Sequence, residues 1–132
     1  MHGRLLGAVV LALVLLGACG DDGKGGSSEM PADADPAVLR GEALSIEHRC
    51  TSCHSIEGAE GVGPPLDEAA GAERTLTDGT TVVADTEYLV RAIVDPRADV
   101  VEGYPAVMGS FAFLEDDEVS DLVAYIEALT DE

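Results

Sequence analysis

The most informative stretch of this 132-residue chain is Cys50-Thr51-Ser52-Cys53-His54. Two thiols separated by two residues and followed at once by an imidazole form the pattern that attaches haem c covalently and supplies its first axial ligand. Each thiol adds across one vinyl group of the porphyrin, and the vinyl groups sit on neighbouring pyrroles, so the chemistry sets the spacing. The motif predicts one haem c joined to Cys50 and Cys53, with His54 as an iron ligand.

A CxxC pattern also occurs in zinc sites and in redox dithiols. A structural zinc site needs four ligands, and outside the motif the chain has only Cys19, His2 and His48 as further soft donors. A redox dithiol of the thioredoxin type is expected in a βαβ unit, whereas the residues before Cys50 predict a helix. Both alternatives are less favoured than haem c.

The charge of the chain limits its partners. It has 7 Lys and Arg against 26 Asp and Glu, a formal charge of -19, and its length suits one small domain. Such an acidic surface argues against binding nucleic acid and against electrostatic adhesion to anionic lipid. A redox partner with a basic docking face is compatible with it, and so is a surface that is acidic only for solubility.

The N-terminus predicts export. The apolar run Leu5–Leu16 follows the positive charge of Arg4 and is too short to span a bilayer, which takes about 20 residues, but it suits a signal peptide. The run closes on Leu16-Gly17-Ala18-Cys19, which resembles the bacterial lipobox. This resemblance implies removal of residues 1–18, a lipid on Cys19, and anchoring to a bacterial membrane on the periplasmic or outer face. An ordinary secretory peptide with an incidental cysteine is the alternative.

The remaining chain divides into a linker and a domain. Residues 19–35 are rich in Gly, Ser, Pro and acidic residues without apolar periodicity, and predict a flexible linker. Residues 36–132 form the predicted domain, which starts with a helix from Ala37 to Arg49 capped by Asp35. Gly41 inside this helix costs about 1 kcal/mol relative to Ala, so another helix is expected to cross closely unless the cost is simply tolerated.

Three further elements are predicted in the domain. Asp78-Gly79, flanked by β-branched residues, indicates a β-hairpin with a two-residue turn within residues 74–84. Asp85 is expected to cap a helix from Thr86 to Val94 that ends at Asp95-Pro96. Apolar residues at helical spacing predict a last helix over residues 116–129, whose buried face comprises Val119, Leu122, Val123, Ile126 and Leu129.

Met108 is the expected second axial ligand. Met1 leaves with the signal peptide and Met30 lies in the predicted linker, so only Met108 is in the domain, in an irregular segment between two helices. A thioether ligand favours ferrous iron and raises the reduction potential. The alternatives are a methionine that fills a core gap and His48 as the ligand, although His48 is more simply explained as an exposed histidine at the helix end.

These motifs together resemble a class I monohaem cytochrome c. The resemblance rests on Gly41 in the first helix, the CxxCH motif, Gly63-Pro64-Pro65-Leu66, the Met108 segment and Leu122–Ile126 in the last helix. It implies a mainly α cytochrome c fold, with N- and C-terminal helices crossing around one covalently bound haem and a small β-hairpin insertion. Residues 75–130 are most similar to the cytochrome c domain fused to subunit II of some bacterial haem-copper oxidases.

The resemblance also assigns roles to single residues. It implies that the Pro64 carbonyl accepts a hydrogen bond from Nδ1 of His54, that Leu66 packs on the haem, and that Gly41 lets the first helix cross the last near Tyr125. It further implies that haem propionates are within reach of two side chains, Arg91 and Tyr104.

The chain departs from the family pattern in two ways. The family usually has Met-Pro where this chain has Met108-Gly109, so the ligand segment loses a fixed φ and is expected to open more easily. The chain also lacks room for the copper domain and membrane helices of an oxidase subunit. We therefore expect a free-standing carrier without substrate turnover, anchored by lipid alone.

The expected function is single-electron transfer between a membrane-bound reductase, such as quinol-cytochrome c reductase, and a terminal cytochrome oxidase. Two alternatives stay open at this point. The protein is either an electron-transfer subunit of a larger dehydrogenase or reductase complex, in which the partner performs catalysis, or a haem-based sensor, which needs a labile sixth ligand.

Overall fold

The structure is a computed structural model that describes residues 30–130. The predicted signal peptide, the lipid site at Cys19 and the first part of the linker lie outside the described residues. The described elements are α1 (Pro36–Glu47), a 3₁₀ turn (Cys50–Ser52), β1 (Glu73–Thr75), β2 (Thr81–Val83), α2 (Thr86–Val94) and α3 (Asp116–Thr130). This is the mainly helical fold with a small antiparallel hairpin that the sequence predicts.

Helix α1 starts where predicted and ends earlier. The Asp35 carboxylate accepts a hydrogen bond from the Ala37 backbone N–H at 2.8 Å, and Pro36 occupies the first turn, where its missing N–H costs nothing. The helix ends at Glu47 because His48 is its C-cap and Arg49 takes a left-handed conformation with φ of 57°. This reversal turns the chain directly into the 3₁₀ turn that carries Cys50.

Residues 30–35 pack against the folded domain, although the sequence assigns them to the linker. The backbone N–H of Met30 donates to Glu42 Oε1 of α1 at 3.1 Å, and the side chains of Met30 and Ala34 contact the hydrophobic core. Among residues 30–130, no helix combines the length and the hydrophobicity needed to cross a bilayer.

Helices α1 and α3 cross at Gly41. A Cβ atom at this position would lie 2.0 Å from the backbone oxygen of Asp121 and 2.7 Å from Cβ of Tyr125, so only glycine permits the approach. The close crossing that the sequence suggests is therefore confirmed. The predicted apolar face of α3 is buried in full, as shown by Val119, Leu122, Val123, Ile126 and Leu129.

The β-hairpin lies where predicted, but the turn length was wrong. Strands β1 and β2 pair in antiparallel register with Arg74 opposite Val82. Beyond them the Leu76 N–H donates to the Thr80 carbonyl at 2.8 Å and the Gly79 N–H donates to the Leu76 carbonyl at 2.9 Å. The turn therefore contains three residues, and Gly79, with φ of 85°, supplies the left-handed position that such a turn requires.

Candidate functional site

A mostly apolar cavity of about 310 Å³ lies between the helices and the loops that follow the CxxCH motif and α2. Its size falls in the usual range for small-molecule sites. The structure brings nearly all of the predicted site residues to this cavity. Those that line it are Cys50, Cys53, His54, Pro64, Leu66, Tyr104 and Met108.

The CxxCH motif forms one wall of the cavity through a tight turn. The backbone N–H groups of Cys53 and His54 both donate to the carbonyl oxygen of Cys50, at 3.2 Å and 3.0 Å. This turn places both thiols and the imidazole on one side of the cavity. Cys53 is exposed and Cys50 is half-buried, and burial raises the pKa of the Cys50 thiol. Neither thiol forms a disulfide within residues 30–130.

The ring of His54 is held in place by the loop that contains Gly63 and Pro64. Its Nδ1 lies 2.7 Å from the carbonyl oxygen of Pro64, which can only accept, so Nδ1 carries the proton and Nε2 is left with a free lone pair. A Cβ atom on Gly63 would come within 2.3 Å of the ring, so this glycine is required for the loop to lie against His54. The loop is in turn held by a hydrogen bond of 2.9 Å from the Gly63 N–H to the Cys53 carbonyl. The hydrogen bond that the resemblance implies is present.

Met108 reaches the cavity on a segment that the hairpin supports. Before it, the Thr77 N–H donates to the Val100 carbonyl and the Glu102 N–H donates to the Thr75 carbonyl, both at 2.8 Å, with Leu76 and Val101 bridged between them. The hairpin thus has a structural role in the site that sequence reasoning missed, since pairing between residues so distant in sequence leaves no local signal. Met108 itself is half-buried.

The two residues expected to reach haem propionates are placed differently. Tyr104 lines the cavity, whereas Arg91 is not among the lining residues, and its Nε donates to Oδ2 of Asp99, which does line the cavity, at 2.5 Å. This hydrogen bond raises the pKa of Arg91. Arg74 lines the cavity instead, and its Nη2 donates to the Glu68 carbonyl at 2.6 Å. Residues alternate between the two faces of a strand, and Arg74 lies between two exposed residues of β1, so it points to the other face. This alternation is the signal that could have identified Arg74.

His48 is not the exposed histidine that the sequence suggests. It is half-buried at the end of α1, with its ring edge-on to Phe111 and Phe113 at centroid distances of 5.6 Å and 5.8 Å. Its position at the helix end agrees with the prediction. The two phenylalanines account for the partial burial of His48. They lie in the irregular segment after Met108, so their contact with the end of α1 could not be predicted from the sequence.

The residues that surround the cavity fit a porphyrin. The lining is largely apolar, two free thiols stand at attachment spacing, and an imidazole with a defined tautomer stands beside them. The hydroxyl of Ser45, which is 2% exposed, lines the same cavity and lies close enough to the Cys50 thiol to interact with it, which opposes the rise in the pKa of that thiol. When bound, a haem supplies an iron that changes reversibly between the ferrous and ferric states.

Comparison with known proteins places these observations in a family context. A family model described as Cytochrome c matches residues 38–130. The cytochrome c-type cyt cy of Rhodobacter capsulatus is 29% identical over 111 residues, covering 74% of this chain and 54% of the relative. The chain thus spans about half the length of that relative. Among solved structures, cytochrome cH from Methylobacterium extorquens matches with 26% identity and a TM-score of 0.49, over 69% of this chain and 97% of that chain.

Proposed function

The chain belongs to the cytochrome c family, and from this premise we propose that it is a lipid-tethered carrier of single electrons between respiratory complexes. Members of the family bind haem c covalently and carry electrons without turning over a substrate of their own, and Cys50 and Cys53 fit the attachment motif. The proposal adds the axial ligands, the membrane anchor and the partners.

We propose His54 and Met108 as the two axial ligands. The observation that carries this assignment is that both line one cavity although they lie far apart in the sequence. The hydrogen bond to Pro64 leaves Nε2 of His54 available for the iron. With both axial positions filled, no site remains for a substrate, and electrons alone are exchanged.

The ligand assignment is tested by absorption spectroscopy of protein matured with the bacterial haem-attachment machinery. We expect the weak near-infrared band of methionine ligation in the ferric protein and no binding of carbon monoxide to the reduced protein. A five-coordinate high-spin ferric spectrum at neutral pH would contradict the assignment, and rapid carbon monoxide binding would favour the haem-sensor alternative.

We propose that the redox partners, such as a quinol-cytochrome c reductase and a terminal cytochrome oxidase, present basic faces. The support is the formal charge of -19, which attracts positive surfaces at low ionic strength. Two small oxidants isolate this effect: cationic tris(phenanthroline)cobalt(III) and anionic ferricyanide. As salt is added, the oxidation rate of the ferrous protein should fall with the cobalt complex and rise with ferricyanide. Equal salt dependence for both reagents would show that the acidic surface does not steer partners.

We propose that Cys19 carries the lipid anchor and that residues between it and Met30 span the distance to the domain. The support is the signal-like run Leu5–Leu16 followed by the lipobox-like residues 16–19. Intact mass of protein from the membrane fraction should correspond to a chain that starts at Cys19 with one haem and one lipid. A Cys19→Ser variant should lose the lipid and keep the haem. A wild-type mature mass without lipid would contradict the anchor and leave the electron-transfer proposal unaffected.

A further inference from the structure

The carboxyl end of α2 contacts the segment that follows Met108. Asp95-Pro96 ends this helix, and the last carbonyl groups of any helix lack partners within it. In this chain the carbonyl of Ile93 accepts a hydrogen bond from the Phe111 N–H at 3.1 Å, and the carbonyl of Val94 accepts one from Ser110 Oγ at 2.5 Å. Two of the helix-end carbonyls are therefore satisfied by residues that lie just beyond the proposed iron ligand.

The same segment is also held at the end of α1. The ring of Phe111 is half-buried against the core and meets the ring of His48 edge-on at 5.6 Å, while Phe113 lies 5.8 Å from both rings. Edge-to-face contacts between aromatic rings, such as those of His48 with the two phenylalanines, are favourable beyond the area that they bury. The segment after Met108 is thus fixed to two helices by different kinds of contact.

The stretch between these contacts and the hairpin has little support of its own. Its anchor on the other side is the pairing of residues 100–102 with the hairpin. Between the two anchors the residues are mostly exposed, and within residues 30–130 no protein atom lies within 4 Å of the position where a Cβ of residue 109 would stand. The position of Met108 therefore depends on the residues at either end of the stretch.

We propose that Ser110 is a positioning residue: its hydroxyl, by capping the Val94 carbonyl, fixes the segment that carries Met108 and replaces the rigidity that a proline at position 109 would supply. This inference rests on the proposed role of Met108 as the second ligand. Loss of the hydroxyl should raise the fraction of molecules in which Met108 has left its place, without unfolding the domain. A hydrogen bond of ordinary net strength corresponds to a change of about five- to tenfold in that fraction.

The test uses imidazole binding to the ferric holoprotein, because exogenous imidazole binds only where Met108 has moved away. Its apparent affinity is proportional to the open fraction. We expect Ser110→Ala to bind imidazole about five- to tenfold more tightly than the wild type and to lose the near-infrared band at lower temperature. Ser110→Thr, which keeps a hydroxyl, should restore most of the wild-type affinity. Ser120→Ala, at an exposed position of α3, should bind imidazole as the wild type does.

The imidazole titrations distinguish a failure of the proposed role of Ser110 from a failure of the ligand assignment. An unchanged imidazole affinity in Ser110→Ala, with the near-infrared band present in the wild type, would overturn the role of Ser110 and leave the ligand assignment intact. Absence of that band in the wild type would overturn both. A change in Ser120→Ala as large as in Ser110→Ala would also overturn the inference, since it would reflect general destabilisation. Global unfolding by urea, followed by circular dichroism, should show nearly equal midpoints for the two alanine variants.

Discussion

The two walls of the cavity are built in different ways. The attachment wall comes from neighbouring residues of one stretch, with Cys50, Cys53 and His54 in a single turn and Gly63 packed against the imidazole. The second wall, the Met108 wall, is a mostly exposed segment that carries Met108 and is held at its two ends. In the first, sequence proximity enforces the geometry. In the second, the geometry depends on contacts with the hairpin, α1 and α2.

This difference indicates how the site responds to perturbation. The residues of the attachment wall are constrained by the hydrogen bonds of one turn and by the close packing of Gly63 on His54. A substitution there should therefore affect haem retention and the stability of the fold. A change on the Met108 wall should shift the population of an open form while the domain stays folded.

The largest effect is expected when the attachment wall loses both thiols. Cys50→Ala with Cys53→Ala should leave a chain without covalent haem that unfolds without cooperativity, because a domain of this size has a thin core that a porphyrin completes. Urea titration followed by circular dichroism measures this, with Cys53→Ala alone as the control that keeps one attachment. A cooperative transition in the haem-free double variant would show that the porphyrin is not part of the core.

Loss of the proposed ligand on the Met108 wall should change the redox properties more than the fold. In Met108→Ala the donor that favours ferrous iron is absent, so the reduction potential should fall by an amount on the order of 0.1 V or more. Redox titration and the loss of the near-infrared band measure this change, while the helical circular dichroism should be retained. An unchanged spectrum would identify a different residue as the ligand.

The same small substitution should act differently on the two walls. An alanine Cβ at position 63 would lie 2.3 Å from the His54 ring, whereas at position 109 it would meet no protein atom of the described residues within 4 Å. Overpacking of this kind costs about 1 to 3 kcal/mol. Gly63→Ala should therefore lower the Tm of the holoprotein by roughly 10 °C, and Gly109→Ala should leave it nearly unchanged. Equal thermal stability of the two variants would remove the distinction between the walls.

The smallest effect is expected at the far end of the hairpin that supports the Met108 wall. Hydrogen bonds from Thr80 Oγ1 and N–H to Oδ1 of Asp78, at 2.7 Å and 2.9 Å, lower the pKa of this carboxyl. Because the pKa is lower in the folded state, the stabilisation is present above the ordinary value of about 4 and is lost as the pH falls below it. The Tm difference between wild type and Asp78→Ala should thus be small at pH 7 and decrease as the pH falls below about 4. The control is Glu73→Gln, and a difference independent of pH would contradict this explanation.

The helices show how far local sequence signals reach. Asp35 and Asp85 cap the helices that they were predicted to cap, and α2 has the predicted limits. Capping bonds, helix dipoles and apolar spacing involve residues that are close in the sequence, so the limits of a helix can be predicted from them. The limits of α1 were predicted less well, because the left-handed turn at Arg49 serves the 3₁₀ turn that follows and is not a property of the helix.

Side-chain partners beyond the local segment were harder to predict. Arg91 is expected to reach a haem propionate, and in the structure its Nε donates to Asp99, while Arg74, which was not predicted as a site residue, lines the cavity. His48 was expected to be exposed, but Phe111 and Phe113 cover it. In each case the partner is chosen by how separate segments approach each other, which a motif does not encode.

The sequence alone determined the attachment chemistry and the core of the fold. The CxxCH spacing follows from the covalent structure of the porphyrin, and the close crossing at Gly41 follows from a glycine that a helix would otherwise exclude. Only the tertiary structure decided how Met108 is held, through hairpin pairing on one side and the α2 carbonyl groups on the other. The physical reason is the separation in sequence of the interacting residues. Covalent attachment and helix caps involve neighbours in the chain, whereas an irregular segment is supported by residues that only folding brings together.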